Sequence, residues 1–474
     1  MANLGIDHLT TPADLDERVL DALRQWRTAD QHASPLAGLA VYQRALAVGQ
    51  RSPRQAVNHL LMTALAQLGS EQADDARLIE LRFLDAVPVD QVAIRLGFAE
   101  STVYQKQRQA VQRLATVLWS MESQAQHERW VRIDARLPAA PLRDLVGVDS
   151  KITQLAEVVN AAGAPWLVAI EGLGGIGKTT LAAALLRRLI ASQRFAEIGW
   201  VSGQPAILDI GGGIRPTQQP ALSAPGLVEA LLTQLAPGRP PAQRAEEALS
   251  QLAGILKAAP HLIVVDNLET AADLQALLPT LRTLANPTKI VMTSRKRLID
   301  EHSIYSFVVP DLSEEDTLRL VRQEARLCNL PYLAAASDGE LRPIYKTVGG
   351  NPLALLLVVG QTHLHSLDLV LHDLAAARGV SVEHLYTFIY RRAWEALDET
   401  SRLALLAMPL VNVNGDSFDY IAALSDLPPA TLTSALQRLI TLNLVNSVGD
   451  LHQRRYSIHG LTRSFLIEQV AKWT

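Results

Sequence analysis

The sequence predicts a multidomain chain in which an α/β core on a mostly parallel sheet is flanked by all-α regions. Three observations carry this. Between about residues 145 and 309, short β-type runs ("WLVAI", "EIGWVSG", "HLIVVDN", "KIVMTSR") alternate with amphipathic helical stretches, the pattern of strands joined by helical crossovers. A glycine-rich segment, "GLGGIGKTT", stands between the first run and an apolar helical stretch. Outside the core, apolar residues recur at helical spacing, and β-type runs return only near residue 445.

Composition narrows the classes. At 474 residues the chain exceeds one hydrophobic core and matches about three or four domains. A charged fraction of 19% and a net charge of −4 leave any nucleic-acid contact to a local patch. The single cysteine, Cys328, excludes an internal disulfide and a four-cysteine zinc site. No apolar run approaches the roughly 18 residues of a membrane span. With no signal-peptide pattern either, a cytoplasmic protein without membrane contact is expected.

Residues 1–70 read as helical, with three helices over 14–68. Asp14 is placed to cap the first, and Ser52-Pro53 opens the third. Residues 71–122 have a helix-turn-helix pattern. "VDQVAIRL" is a short amphipathic helix, Gly97 is the turn residue suited to positive φ, and Glu100 or Ser101 starts the next helix. There Val103, Ala110, Val111, Leu114 and Leu118 share one face. Gln105, Arg108, Gln109 and Gln112 fall opposite, with Lys106 and Arg113 on the flank. No acid interrupts residues 101–119. Arginine and glutamine can pair bidentately with guanine and adenine, and Ser101, Thr102 and Lys106 suit phosphates. Double-stranded DNA is therefore the expected partner of Ser101, Thr102, Gln105, Lys106, Arg108 and Gln109; the rival is a protein-interaction module with a solvated polar face. Residues 123–144, ending "RLPAAPLRD", read as a linker stiffened by prolines.

Residues 145–309 carry the chemistry. Gly172, Gly177, Lys178 and Thr179 fit G-x-x-x-x-G-K-[ST], preceded by a strand pattern and followed by a helical one. The backbone N–H groups of Gly174, Gly175, Ile176, Gly177, Lys178 and Thr179 would point at phosphate oxygens, helped by the helix dipole. Lys178 would set its charge between the β- and γ-phosphates, and Thr179 would offer its hydroxyl to Mg²⁺; Thr180 completes the loop. The strand "LIVVD" ends in Asp266, the expected Mg²⁺ carboxylate. Asn267 follows, an amide that takes no proton, and Glu269 would point to the other side of a continuing strand. Slow hydrolysis follows. "KIVMTSR" brings Thr293, Ser294 and Arg295 to a C-terminal strand end, where ligands of open sheets bind. Arg295 is the candidate γ-phosphate contact, completing a catalytic set with Lys178, Thr179 and Asp266. The segment from Ile210 to Pro220 reads as a surface loop. Residues 310–380 read as helical, and residues 381–474 end in helix, strand, turn and strand.

Residues 145–465 resemble the NB-ARC group of STAND ATPases. The resemblance is carried by "GLGGIGKTT", "LIVVDNLE", "KIVMTSR", "GGNPLAL" and "YSIHGL", in the family's order. It implies a P-loop NTPase core, an ARC1-like helical subdomain and a carboxy-terminal winged helix that serves as a moving lid. ATP/ADP and Mg²⁺ are the implied cofactors. An ADP-bound closed monomer would open and form homo-oligomers on exchange for ATP. "LVGVDSKITQL" falls where the family's backbone meets the adenine; Val146 and Gly147 match, and Val148 replaces an arginine. By the same resemblance Pro352 packs on the base, although the residues alone read it as a helix-starting proline. His459 is the implied contact to the ADP β-phosphate, with Gly460 where the motif has aspartate. Residues 71–122 resemble region four of bacterial sigma factors, whose second helix reads promoter DNA. The combined reading is a nucleotide switch coupled to a DNA-binding regulatory module. Its alternative is an antiviral defence or cell-death switch whose amino-terminal helices recruit a protein effector. An origin-binding AAA+ ATPase fits less well, because the DNA-reading pattern sits at the wrong end. The activating signal is not legible in these residues.

Overall fold

The computed structural model describes residues 14–27, 34–47, 52–140, 144–190, 192, 194–203, 207–208, 214–215, 222–238, 240, 242–268, 271–294, 303–376, 390–391, 393–395, 397–412, 415–449, 453–458, 462–463 and 466. The chain divides into two compact units, Met1–Arg132 and Ile133–Thr474.

The first unit is helical: α1 (Leu15–Arg24), α2 (Ala40–Ala47), α3 (Pro53–Glu71), α4 (Ala73–Ile79), α5 (Val89–Leu96) and α6 (Glu100–Asp134). Ser52 opens α3 with a capping box: its Oγ accepts from Gln55 N at 3.3 Å, and Gln55 Oε1 accepts from Ser52 N at 2.9 Å. Asp14 makes no such bond and faces Arg18 at 3.9 Å instead. Gly97 ends α5 with φ 70°, a left-handed cap that a Cβ would penalise.

Two expectations change here. Residues 123–134, read as the start of a linker, belong to α6, which is 35 residues long. No proline or glycine occurs between Glu100 and Arg136, and the polar residues there are good helix formers, so the helix stops only just ahead of Pro138. Nor are residues 14–70 and 71–122 separate bodies. Leu15, Val19, Leu61, Ile79, Val92, Val103, Leu114 and Leu118 belong to one buried cluster, and Arg113 of α6 pairs with Asp75 of α4.

In the second unit, β1 (Leu167–Glu171), β2 (Ile198–Ser202), β3 (Leu262–Leu268), β4 (Lys289–Ser294) and β5 (Ile304–Val308) form a parallel sheet in the order β2-β3-β4-β1-β5. Every residue of β1 and β4 is buried, as expected for strands covered on both faces. The helices that join or precede them are α7 (Asp149–Asn160), α8 (Lys178–Ile190), α9 (Ala224–Leu235), α10 (Ala245–Ala258) and α11 (Ala271–Leu284). The connections from β1 and from β4 run in opposite directions across the sheet. The carboxyl ends of this adjacent pair therefore border a crevice, and the glycine-rich loop follows β1 there. Within the expected 210–220 loop, Ile214–Arg215 pairs with Ile207–Leu208.

Beyond the sheet come α12 (Glu314–Leu327), α13 (Pro331–Ala334), α14 (Asp338–Val348), α15 (Pro352–Gln361) and α16 (Leu367–Ala376). Then follow α17 (Glu399–Ala407), α18 (Phe418–Ser425), α19 (Pro429–Thr441) and an antiparallel hairpin of β6 (Asn446–Gly449) and β7 (Arg454–Ser457). One apolar cluster runs from Leu312 to Leu466, so these helices share a core. Among the described residues no helix is long and apolar enough to cross a membrane.

One buried carboxylate organises the first unit. Glu122 of α6 is 0% exposed. It accepts from Ala40 N and Val41 N at 3.0 Å each, and from Gln126 Nε2 at 2.7 Å. Leucine precedes α2, so the orphan donors of that helix are met from α6 instead of from a local cap. Glu122→Gln turns one acceptor into a donor facing a donor. Amide hydrogen exchange over 40–47 should lose about 1–3 kcal/mol of protection; unchanged exchange would contradict this role.

Candidate functional site

The loop after β1 takes the conformations that its glycines allow: φ is 154° at Gly172, 75° at Gly175 and 95° at Gly177. Space matters as much as φ at Gly175, where a Cβ would lie 2.8 Å from Leu353 Cβ. Lys178, the first residue of α8, turns its Nζ back to the carbonyls of Gly172 and Leu173 at 2.8 and 2.9 Å. The ammonium is thus held against the backbone of the loop that precedes its own helix.

Asp266, on β3, lies beside the start of α8. Its carboxylate accepts from Thr179 Oγ1 at 2.9 Å and from Thr293 Oγ1 of β4 at 2.6 Å, and the group is 2% exposed. Burial pushes its pKa above the ordinary carboxylate range, while the bonds from Thr293 and Thr179 and the Lys178 charge pull it back. A hydroxyl and a carboxylate this close are hard oxygen donors suited to Mg²⁺, whose charge would hold Asp266 ionised.

Asn267 departs from a simple strand continuation. Its φ is 69° and the β3–β4 register shifts here. Its N–H donates to Thr293 Oγ1 at 2.8 Å, and its amide Nδ2 donates to Gly203 O at 3.0 Å. The side chain therefore braces the end of β2. Glu269, Arg295 and His459 lie outside the described residues.

The remaining segments close on the same loop. Asn351, which caps α15, donates from Nδ2 to Gly174 O at 3.0 Å. Pro352 is the first residue of that helix. Leu312 N donates to Gly350 O at 2.9 Å. Gly147 has φ 67°, and a Cβ there would lie 2.7 Å from the Asp316 carboxylate at the start of α12. Val146 packs on the cluster that includes Leu312 and Leu353. Val146, Gly147, residues 172–180, Asp266 and Pro352 are thus linked through a few direct contacts. Asn351 was not among the residues singled out from sequence. An asparagine before proline reads there only as a helix cap, and its partner is 177 positions away.

The candidate DNA-reading residues lie in the first unit. Val103, Ala110, Val111, Leu114 and Leu118 are buried. Ser101, Gln105, Arg108 and Gln109 are exposed, Thr102 and Lys106 half-buried. Lys106 Nζ stands 4.7 Å from the centre of the Phe98 ring, a cation–π contact that holds its stem against the turn. The same face exposes Tyr104, which the charge pattern did not mark.

Residues 144–293 match the AAA ATPase domain model. Over 194 residues, 39% of this chain, the sequence is 29% identical to TMV resistance protein N of Nicotiana glutinosa. Over 345 residues, 70% of this chain, it is 25% identical to Regulatory protein AfsR of Streptomyces griseus. The chain spans 16% and 33% of the length of these relatives. A solved STAND protein with a tetratricopeptide repeat sensor, from Pyrococcus horikoshii, matches with TM-score 0.45 and 18% identity, over 70% of this chain and 44% of that one.

The Asp266 geometry sets a metal test. Asp266→Asn leaves Thr179 and Thr293 with a neutral partner. The affinity for Mg²⁺ in the presence of ATP should fall about 10–100-fold, whereas binding of nucleotide in excess chelator should change little. Titration calorimetry with and without chelator reads both, and equal losses in both would count against a metal role.

Proposed function

We propose that this chain, a P-loop ATPase of the STAND type, is a regulatory switch set by ADP and ATP. The observation that carries the reading is the convergence on one phosphate loop of Asp266 from the sheet, Asn351 at the start of α15, and, through Leu312 and Gly350, the Gly147 turn. A nucleotide held there touches segments before and beyond the sheet, so its identity can bias how they seat on one another. ADP holds the closed monomer; ATP favours an open state that forms homo-oligomers. Such a shift needs only a difference in affinity of the two ligands for the two states. Lys178 neutralises phosphate charge, Thr179 and Asp266 hold Mg²⁺, Val146, Gly147 and Pro352 meet the base, Arg295 meets the γ-phosphate, and His459 closes the site from the winged helix. The amide of Asn267 supplies no general base, so turnover is slow. The protein works in the cytoplasm.

Gently purified protein should carry ADP, and Lys178→Ala should abolish retention. Chromatography of the released nucleotide checks this, and protein that is nucleotide-free with no measurable ADP affinity overturns it. Steady-state hydrolysis should stay well below the rate of typical enzymes, on the order of 10 per second.

The output we assign to the first unit is recognition of double-stranded DNA, in keeping with a relative named as a regulatory protein. Ser101, Thr102 and Lys106 contact phosphates, and Gln105, Arg108 and Gln109 read bases in the major groove. A second reading, recruitment of a protein effector, is favoured by Ile94 and Tyr104, which stand 81% and 59% exposed. Binding selection on random duplexes, with ADP and with a non-hydrolysable ATP analogue, separates them. Arg108→Ala and Gln105→Ala should each cost about 1–3 kcal/mol and relax preference at one base pair. Lys106→Ala should weaken all duplexes alike and lower the salt slope by about one. Absence of any enriched sequence, with all three variants behaving as wild type, selects the protein effector.

A further inference from the structure

The start of α15 is built into the outer side of the phosphate loop. Asn351 Nδ2 donates to Gly174 O at 3.0 Å, and Leu353 N donates to Gly175 O at 3.3 Å. Asn351 Oδ1 meanwhile accepts from Leu353 N at 3.1 Å and Ala354 N at 3.4 Å, capping the helix. The fit is close, since a Cβ at Gly175 would also lie 3.0 Å from Asn351 Oδ1. Behind Asn351, a Cβ on Gly350 would lie 2.1 Å from the Leu312 carbonyl oxygen, so this stretch is wedged between the loop and the approach to α12.

A trans peptide is planar, and the C=O of one residue points opposite to the N–H of the next. By taking hold of the carbonyls of Gly174 and Gly175, α15 turns the N–H groups of Gly175 and Ile176 to the other side of the loop. There the Ile176 N–H donates to the Leu173 carbonyl at 3.4 Å, the same oxygen that meets the Lys178 ammonium, so this side of the loop is the one Lys178 faces. Backbone N–H groups aimed there are what a phosphate requires.

We infer that Asn351 is a positioning residue for the phosphate site. Its amide sets the Gly174–Gly175 peptide so that the Gly175 N–H faces the phosphates of a bound nucleoside di- or triphosphate, and it thereby governs how long nucleotide is held. The inference rests on the nucleotide reading above and adds a dependence that Lys178 and Asp266 do not carry. The grip on phosphate is set from a helix outside the sheet, so the seat of α15 and the lifetime of the nucleotide change together.

Asn351→Ser tests this on the full chain. Serine caps a helix about as well as asparagine, but its short hydroxyl leaves the Gly174 carbonyl without the amide donor. Asn351→Asp keeps cap and shape but sets a carboxylate against that carbonyl. Release of N-methylanthraniloyl-ADP, followed by stopped flow, should quicken about fivefold in the serine variant, the equivalent of one ordinary hydrogen bond, and further in the aspartate variant. Thermal midpoints measured without nucleotide should fall less in the serine variant, which keeps the cap, than in Asn351→Ala; the aspartate variant also bears a buried charge, since Asn351 is 5% exposed. Asn351→Ala, which also loses the cap, should lower the midpoint and calibrates the purely structural effect. Wild-type release rates in the serine and aspartate variants, or a serine midpoint that falls as far as that of Asn351→Ala, overturn the inference. If the wild-type protein itself fails to bind the probe, the nucleotide reading falls first and takes this role with it.

Discussion

The site depends on a buried carboxylate. Taking Asp266 out of water costs several kcal/mol unless strong hydrogen bonds answer it. Two threonines do so, one opening α8 and the other on β4. A third contact is backbone: the Asp266 carbonyl accepts from Gly203 N at 2.9 Å, beyond the end of β2. Moving α8 or β4 away would leave the buried carboxylate short of a donor. Asp266 therefore holds the strand ends and the first turn of α8 in register, and chemistry placed on rigid elements keeps its geometry better than chemistry on free loops.

Asn267 shows the same constraint at work on its neighbour. Its N–H uses the hydroxyl that also serves Asp266, and its left-handed backbone turns the amide to Gly203. Asparagine tolerates that conformation better than most residues. The position after Asp266 is thus spent on bracing the end of β2.

Around this centre the glycines act by their lack of volume. Gly147, Gly175 and Gly350 each stand where a Cβ would press on Asp316, Leu353 or the Leu312 backbone. At Gly175 and Gly350 the close approach admits a backbone hydrogen bond, from Leu353 N and from Leu312 N respectively. Contacts of this kind suit the proposed switch, because packed interfaces change between discrete states more readily than they deform. In the first unit the logic is different: a single core and the buried Glu122 hold α6 steady, and the polar face of that helix is left to solvent.

Local patterns were legible because they arise from neighbours in sequence. Strand–loop–helix order and helical periodicity brought out the parallel α/β core, the glycine-rich loop, the Ser52 cap, the Gly97 turn and the buried face of α6. The loop and "LIVVD" also identified Thr179 and Asp266 as candidates for one metal. What the sequence by itself could not determine was anything resting on distant partners. The register of β3 against β4, the turn of Asn267 toward β2, the capping of α2 by Glu122 and the bond from Asn351 to Gly174 all join residues far apart in the chain. Composition misread residues 123–134 as a linker, since a polar stretch rich in glutamine and arginine has the makeup of either a linker or a solvated helix. Only tertiary structure decides such cases: burial sets which polar groups must find partners, and packing sets which partners lie within reach.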